Sequence, residues 1–220
     1  VENRTVIFLQ EFDIKNFKLI GKKDQLILDK FAEGPHIYKH MGFYYLWVAT
    51  GGTGYTHCEE VFRSKNIFGP YLPDPKNPIL TSQHNPSLPL QKAGHCSLVQ
   101  TQDSSWYVAH LASRPLMPEK KCPLGRETSI QKIVFTKDGW FRLAQGGNEP
   151  LQVVEPPNLP TVEKKIISSR DEFKNEKLSD EWLTLREPID TSWASLTEKE
   201  GFLRIKGRNG LFNFSGQSLI

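Results

Sequence analysis

Short runs of aromatic and β-branched residues alternate with Gly, Pro and Asn clusters along the whole chain, and no helical period persists for three turns. That pattern confines the chain to all-β architectures, because short apolar runs bounded by turn formers read as strands. Three hairpins stand out. His36-Ile37-Tyr38 leads into a turn near His40-Met41-Gly42, and Phe43 to Ala49 returns. His95 to Gln100 runs out, Gln102-Asp103-Ser104-Ser105 turns, and Trp106 to Leu111 comes back. Ser129 to Ala144 turns at Lys137-Asp138-Gly139, where Asp-Gly supplies positive φ at little cost. The first two hairpins are alike. Gly34-Pro35-His36 opens one and Gly94-His95 the other, and Tyr44 and Tyr107 hold matching places. A weak repeat of about 60 residues built from short strands predicts propeller blades. Two unrelated hairpins of a β-sandwich satisfy the same pattern.

Composition changes near residue 150. Glu155-Pro156-Pro157-Asn158-Leu159-Pro160 reads as an extended linker. The predicted division is a first domain over 1–150, a linker over 151–165 and a second domain over 166–220. Strands are predicted in the second near Asp171-Glu172-Phe173, Trp182 to Arg186 and Gly201 to Ile205. The segment is shorter than a sandwich needs, and it ends on Gln217-Ser218-Leu219-Ile220, so a domain cut in mid-fold is expected. At the other end, Val1-Glu2-Asn3-Arg4 has no start methionine and no leader pattern, and a longer parent is expected.

Bulk properties exclude several partners. Net charge is +3 and the lysine pairs are scattered, with no basic stripe interleaved with aromatics, so nucleic acid is not expected. No apolar run is long enough to span a membrane as a helix. Cys58, Cys96 and Cys122 lack metal spacing, and free thiols are expected. The sequons at Asn3 and Asn213 decide nothing about compartment.

Three positions are candidates for chemistry. Glu33 precedes Gly34-Pro35, where the chain must turn. A carboxyl there can face a cavity, and poor solvation would raise its pKa into the range of a proton donor. The bland alternative is a surface glutamate before a turn. His95 opens an apolar strand, and so reads equally as a half-buried structural histidine. His36, His57 and His110 invite the same caution, since no two histidines have zinc spacing. Arg126, between Gly125 and Glu127, could present its donor fork to sugar hydroxyls or pair with Glu127. Gly51-Gly52-Thr53-Gly54 precedes no helix and lacks the Lys-Ser/Thr of a phosphate loop, which excludes nucleotide binding.

Taken in order, several stretches carry a resemblance. They are Glu33 to Lys39, Phe43 to Leu46, Gly51-Gly52-Thr53, Arg63-Ser64 with Gly69-Pro70-Tyr71, and Asn77 to Leu80. Gly94-His95, Trp106-Tyr107, Arg114-Pro115, Gly125 to Gln131 and Asp138-Gly139-Trp140 follow. The series resembles the β-xylosidases of glycoside hydrolase family 43 over essentially the whole chain. The resemblance implies part of a five-bladed β-propeller followed by the beginning of a concanavalin-like β-sandwich. It makes Glu33 the general acid, and it places Arg126, His95 and Thr53 on the substrate. It implies no required cofactor, and a calcium ion near His95, reached through water, in some members. The implied activity is that of an inverting exo-β-1,4-xylosidase on xylo-oligosaccharides. An α-L-arabinofuranosidase of the same family and a non-catalytic carbohydrate-binding module are the alternatives. A cytoplasmic location and a homo-oligomeric parent are also compatible with it. The family's general base and pKa-tuning aspartates find no match among Asp13, Asp24 and Asp29, so this chain alone is expected to be inactive.

Overall fold

A computed structural model describes residues 5–29, 32–163, 170–184 and 188–207, with backbone only for 27–29. All regular structure among them is β. Among the described residues no helix is long and apolar enough to cross a membrane. The chain divides into two compact units, residues 1–160 and 161–220.

The first unit opens with a hairpin of β1 (Thr5–Asp13) and β2 (Lys18–Asp29). Asp13 closes its turn, accepting the N–H groups of Lys15 and Asn16 at 2.9 and 3.2 Å. An aspartate bonding backbone two and three residues on makes this kind of turn.

Two antiparallel meanders follow. The first runs β3 (Glu33–His40), β4 (Phe43–Thr50), β5 (Cys58–Ser64) and β6 (Leu72–Pro73), with β7 (Leu80–Thr81) also on β5. The second runs β8 (Gln91–Gln100), β9 (Trp106–Ser113), β10 (Glu127–Phe135) and β11 (Phe141–Leu143). The three predicted turns fall between β3 and β4, β8 and β9, and β10 and β11. Tyr44 and Tyr107 each occupy the second residue of their strands, so the repeat seen in sequence is one meander against the next.

Strand β4 shows why the meanders stack. Tyr45 to Ala49 is fully buried, which explains its unbroken apolar run. Successive side chains point to opposite faces. Tyr45 and Trp47 join a core with Leu98, Ile133 and Phe141, while Leu46 and Val48 pack with Ile7 and Ala32. Tyr45 and Phe141 meet edge-on at 5.1 Å between centroids, a favoured aromatic geometry. Beside this core, Arg142 grips the buried Asp74 with both terminal nitrogens, Nη2 at 2.9 Å from Oδ1.

The proline-rich segment is bound to the first unit over most of its length. Gln131 donates to the Leu151 carbonyl (2.8 Å) and accepts the Leu151 N–H (2.9 Å). Tyr107 donates to the Glu155 carbonyl at 2.9 Å, and Asp103 accepts the Asn158 N–H at 2.6 Å.

In the second unit β12 (Ala194–Ser195) pairs with β13 (Arg204–Ile205). The strand predicted over Gly201 to Ile205 is present in its last two residues. No strand forms over 171–173. Asp171 instead accepts the Phe173 N–H (2.8 Å) and the Trp182 indole N–H (2.8 Å), and Phe173 takes φ 48°, which no strand permits. Trp182 and Leu183 are likewise outside any strand, and Leu185 and Arg186 lie outside the described residues. So do Phe31, Asn3, Asn213 and the final Gln217 to Ile220. The three cysteines are free, with Cys58 and Cys96 buried.

Candidate active site

The candidate residues gather at one end of the two ladders. In the first meander that end holds the start of β3, the end of β4 and the start of β5, with the 51–57 loop between. In the second it holds the start of β8, the end of β9 and the start of β10. The loops are tied across the two sheets, because Tyr55 Oη donates to the Lys120 carbonyl at 3.0 Å.

Glu33 is the first residue of β3, opposite Ala49, and it is exposed. The poorly solvated carboxyl expected from its neighbours is therefore not what the described residues make. The ladder begins at Glu33. Gly34 follows with φ 55°, and a Cβ there would lie 2.2 Å from Nε2 of His95. Only glycine admits the imidazole so close. Glu33 and His95 are thus held side by side through Gly34.

His95 owes its place to a bulge. Gly94 pairs with Leu111 and Ser97 with Ala109, so β8 carries one extra residue here. His95 takes φ 58°, a left-handed conformation unusual for a side chain of its size. Such bulges re-aim a side chain, often beside active sites. Gly94 admits a second imidazole, since a Cβ there would lie 2.6 Å from Cδ2 of His57. The His57 and His95 rings are 6.4 Å apart between centroids.

His57 is buried, and neither ring nitrogen makes a hydrogen bond of ordinary geometry, although the Gly52 and Thr50 carbonyls lie near. Burial pushes its pKa below the ordinary histidine value, His95 acts in the same direction, and the nearby Glu33 charge opposes both. Deeper still, burial pushes His110 down to about 4. Its Nδ1 sits 2.9 Å from the Leu111 carbonyl.

Thr53 is exposed in the 51–57 loop. Arg126 is exposed just before β10. The pairing of Arg126 with Glu127 does not form. Arg114 takes that carboxylate instead, with Nε 3.1 Å from both oxygens and Nη2 2.5 Å from Oε1. Among the described residues Arg126 is left with its donors unengaged. The structure brings Glu33 and His95 together and sets Thr53 and Arg126 at the same end, without a bond to either.

His57 was read from sequence only with the caution given to His95, and one residue here was not singled out at all: Glu59, fully buried in β5, whose Oε2 accepts the Cys96 N–H at 2.9 Å. Burial pushes its carboxyl up to about 8. A signal for it existed, since Glu59 shares strand parity with Val61, and Val61 faces the core.

A calcium ion takes six to eight oxygen ligands. Among the described residues no three His, Cys, Asp or Glu side chains converge, so these residues do not by themselves form such a site at His95.

Residues 2–141 match the profile of glycosyl hydrolases family 43, and residues 170–220 that of the beta xylosidase C-terminal concanavalin A-like domain. A beta-xylosidase from Bacillus subtilis is 41% identical over 97% of this chain and 42% of its own length. A non-reducing end alpha-L-arabinofuranosidase from Bacteroides ovatus is 42% identical over 80% of this chain and 32% of its own. Among solved structures, xylan beta-1,4-xylosidase from Bacillus halodurans superposes with a TM-score of 0.84 at 47% identity, covering 93% of this chain and 40% of that one. The chain therefore spans about two fifths of the length of such relatives. Its relatives are propeller enzymes, and the two stacked meanders fit that architecture. By these matches, the chain belongs to glycosyl hydrolases family 43.

Proposed function

We propose that the full-length protein containing this chain is an inverting exo-β-1,4-xylosidase acting on xylo-oligosaccharides. Glu33 is its general acid, and Arg126, His95 and Thr53 contact the sugar. The observation that carries this reading is the seating of His95 against Gly34, which fixes a solvent-open carboxyl beside an imidazole at the loop-bearing end of both sheets.

An inverting pair needs a second carboxylate about 6.5–9.5 Å away, with room for water between. Glu59 is no candidate, being fully buried and bonded to Cys96. No other described carboxylate is assigned, so little turnover is expected from these 220 residues alone. Arg126 supports the sugar assignment because its planar fork is unpaired while its neighbour Glu127 is occupied by Arg114. A calcium ion near His95 is retained only as an optional ion held through water, and no step depends on it.

The similarity to an arabinofuranosidase favours testing the other sugar as well. The full-length protein is assayed on p-nitrophenyl β-D-xyloside and p-nitrophenyl α-L-arabinofuranoside, with the first-formed anomer of xylose followed by proton NMR. Preference for the xyloside with initial release of the α-anomer is expected. Preference for the arabinofuranoside, initial β-anomer, or sugar binding without turnover would each overturn the corresponding part.

A further inference from the structure

We propose that Glu59 is a positioning residue of this site: its carboxyl holds the β8 bulge by the Cys96 N–H, and so seats His95 against Gly34 beside Glu33. The inference rests on the reading of Glu33 as the acid and adds a residue to it.

Three observations carry it. Glu59 is fully buried among strands, and its Oε2 makes a 2.9 Å bond to the backbone of the bulged residue Cys96. The His95 N–H also lies toward this carboxyl. Successive N–H groups around a left-handed residue form a concavity that takes an acceptor oxygen, and His95 is that residue, with φ 58°. Finally, the ring that the bulge presents meets Gly34 with no space for a methyl group. A carboxyl in the neighbouring meander therefore determines how the imidazole stands at the acid. A purely apolar side chain at 59 would fill the space and leave the Cys96 N–H unsatisfied.

The test uses the full-length protein with Glu59→Met, Glu59→Gln and Gly34→Ala. The readouts are kcat and KM on xylobiose, and amide hydrogen exchange of the peptide containing His95 and Cys96. Glu59→Met is expected to speed that exchange and to lower kcat about 10²-fold with KM little changed, as a misplacement of about 1 Å can do. Glu59→Gln keeps an acceptor oxygen and is expected to recover most of both. Gly34→Ala displaces the ring from the opposite side without touching Glu59, and is expected to lower kcat while exchange at Cys96 stays slow. If Glu59→Met does not fold, the Glu59→Gln and Gly34→Ala results still decide. Unchanged kcat with fast exchange in Glu59→Met overturns the proposal, as does a Glu59→Gln enzyme as impaired as Glu59→Met, or full activity in Gly34→Ala. Absence of hydrolysis by the unaltered protein overturns the hydrolase reading instead, while exchange still reports the strand contact.

Discussion

Glu33 and Glu59 lie on one rung of the first meander. Glu33 pairs with Ala49, and Ala49 pairs with Glu59. Two interstrand steps separate them, about 10 Å. One carboxyl opens to solvent and the other is sealed among strands. The same rung thus offers a group that can reach a substrate and a group that can only act on its surroundings.

The buried member should leave a signature in stability against pH. Burial raises Glu59 to about 8 in the folded protein, against 4.5 for a freely solvated glutamate. A raised folded pKa means that its stabilising contribution is fully present below about 4.5 and is lost as pH rises through 8. Glu59→Gln has no proton to lose. Urea unfolding of the full-length protein from pH 5 to 9 is expected to show the unaltered protein losing stability relative to Glu59→Gln across that window. Parallel curves would contradict it.

His110 acts with the opposite sign. Its folded pKa is depressed to about 4 by burial, against 6.5. Its contribution is present above 6.5 and is lost as pH falls through 4, on the order of 3 kcal/mol in all. His110→Gln is expected to flatten the acid limb of the unfolding free energy between those values. An acid limb as steep as before would assign the loss to other groups.

Asp74 and Arg142 form a buried ion pair across the first unit, with side-chain exposures of 0% and 11%. Removing Asp74 leaves Arg142 with only Asp138, at 3.5 Å and half exposed, as counter-ion, and costs up to about 3–5 kcal/mol. Asp74→Leu is expected to lower stability by that amount, and Asp74→Leu with Arg142→Met to recover much of it. Urea unfolding of the single and double variants reads both.

Arg126 and Arg114 differ in what they hold. Arg126→Lys is expected to reduce kcat/KM on xylobiose about 10–100-fold, corresponding to about 1.5–3 kcal/mol for hydrogen bonds from a charged donor. Arg114 already holds Glu127 at the surface, and Arg114→Lys is expected to have a far smaller effect. Equal losses would remove the distinction between the two arginines.

The turns were the most legible features in the sequence, because Met41-Gly42, Asp103-Ser104 and Asp138-Gly139 carry local chemistry that needs no partner. Strand β4 was legible from its apolar run, although only the packing of both its faces shows why Tyr45 to Ala49 runs unbroken. Glu59 escaped because its parity with Val61 places it on the core face but does not tell what a carboxyl would bond there. What marks it is the Cys96 N–H, and that bond depends on a bulge 37 residues later in the chain. Phe173 shows the converse. It sits in a strand-like sequence, but Asp171 captures its N–H and turns the backbone away.

The role of Glu33 is tested most directly by leaving-group dependence in the full-length protein carrying Glu33→Gln. The xylose unit released from xylobiose would leave as a sugar alkoxide and needs a proton, whereas 2,4-dinitrophenyl β-D-xyloside releases a stable phenolate that does not. The expected result is a loss of about 10²–10⁴-fold in kcat on xylobiose, with the activated xyloside cleaved at nearly the unaltered rate. Equal losses on both substrates, or undiminished hydrolysis of xylobiose, would contradict it.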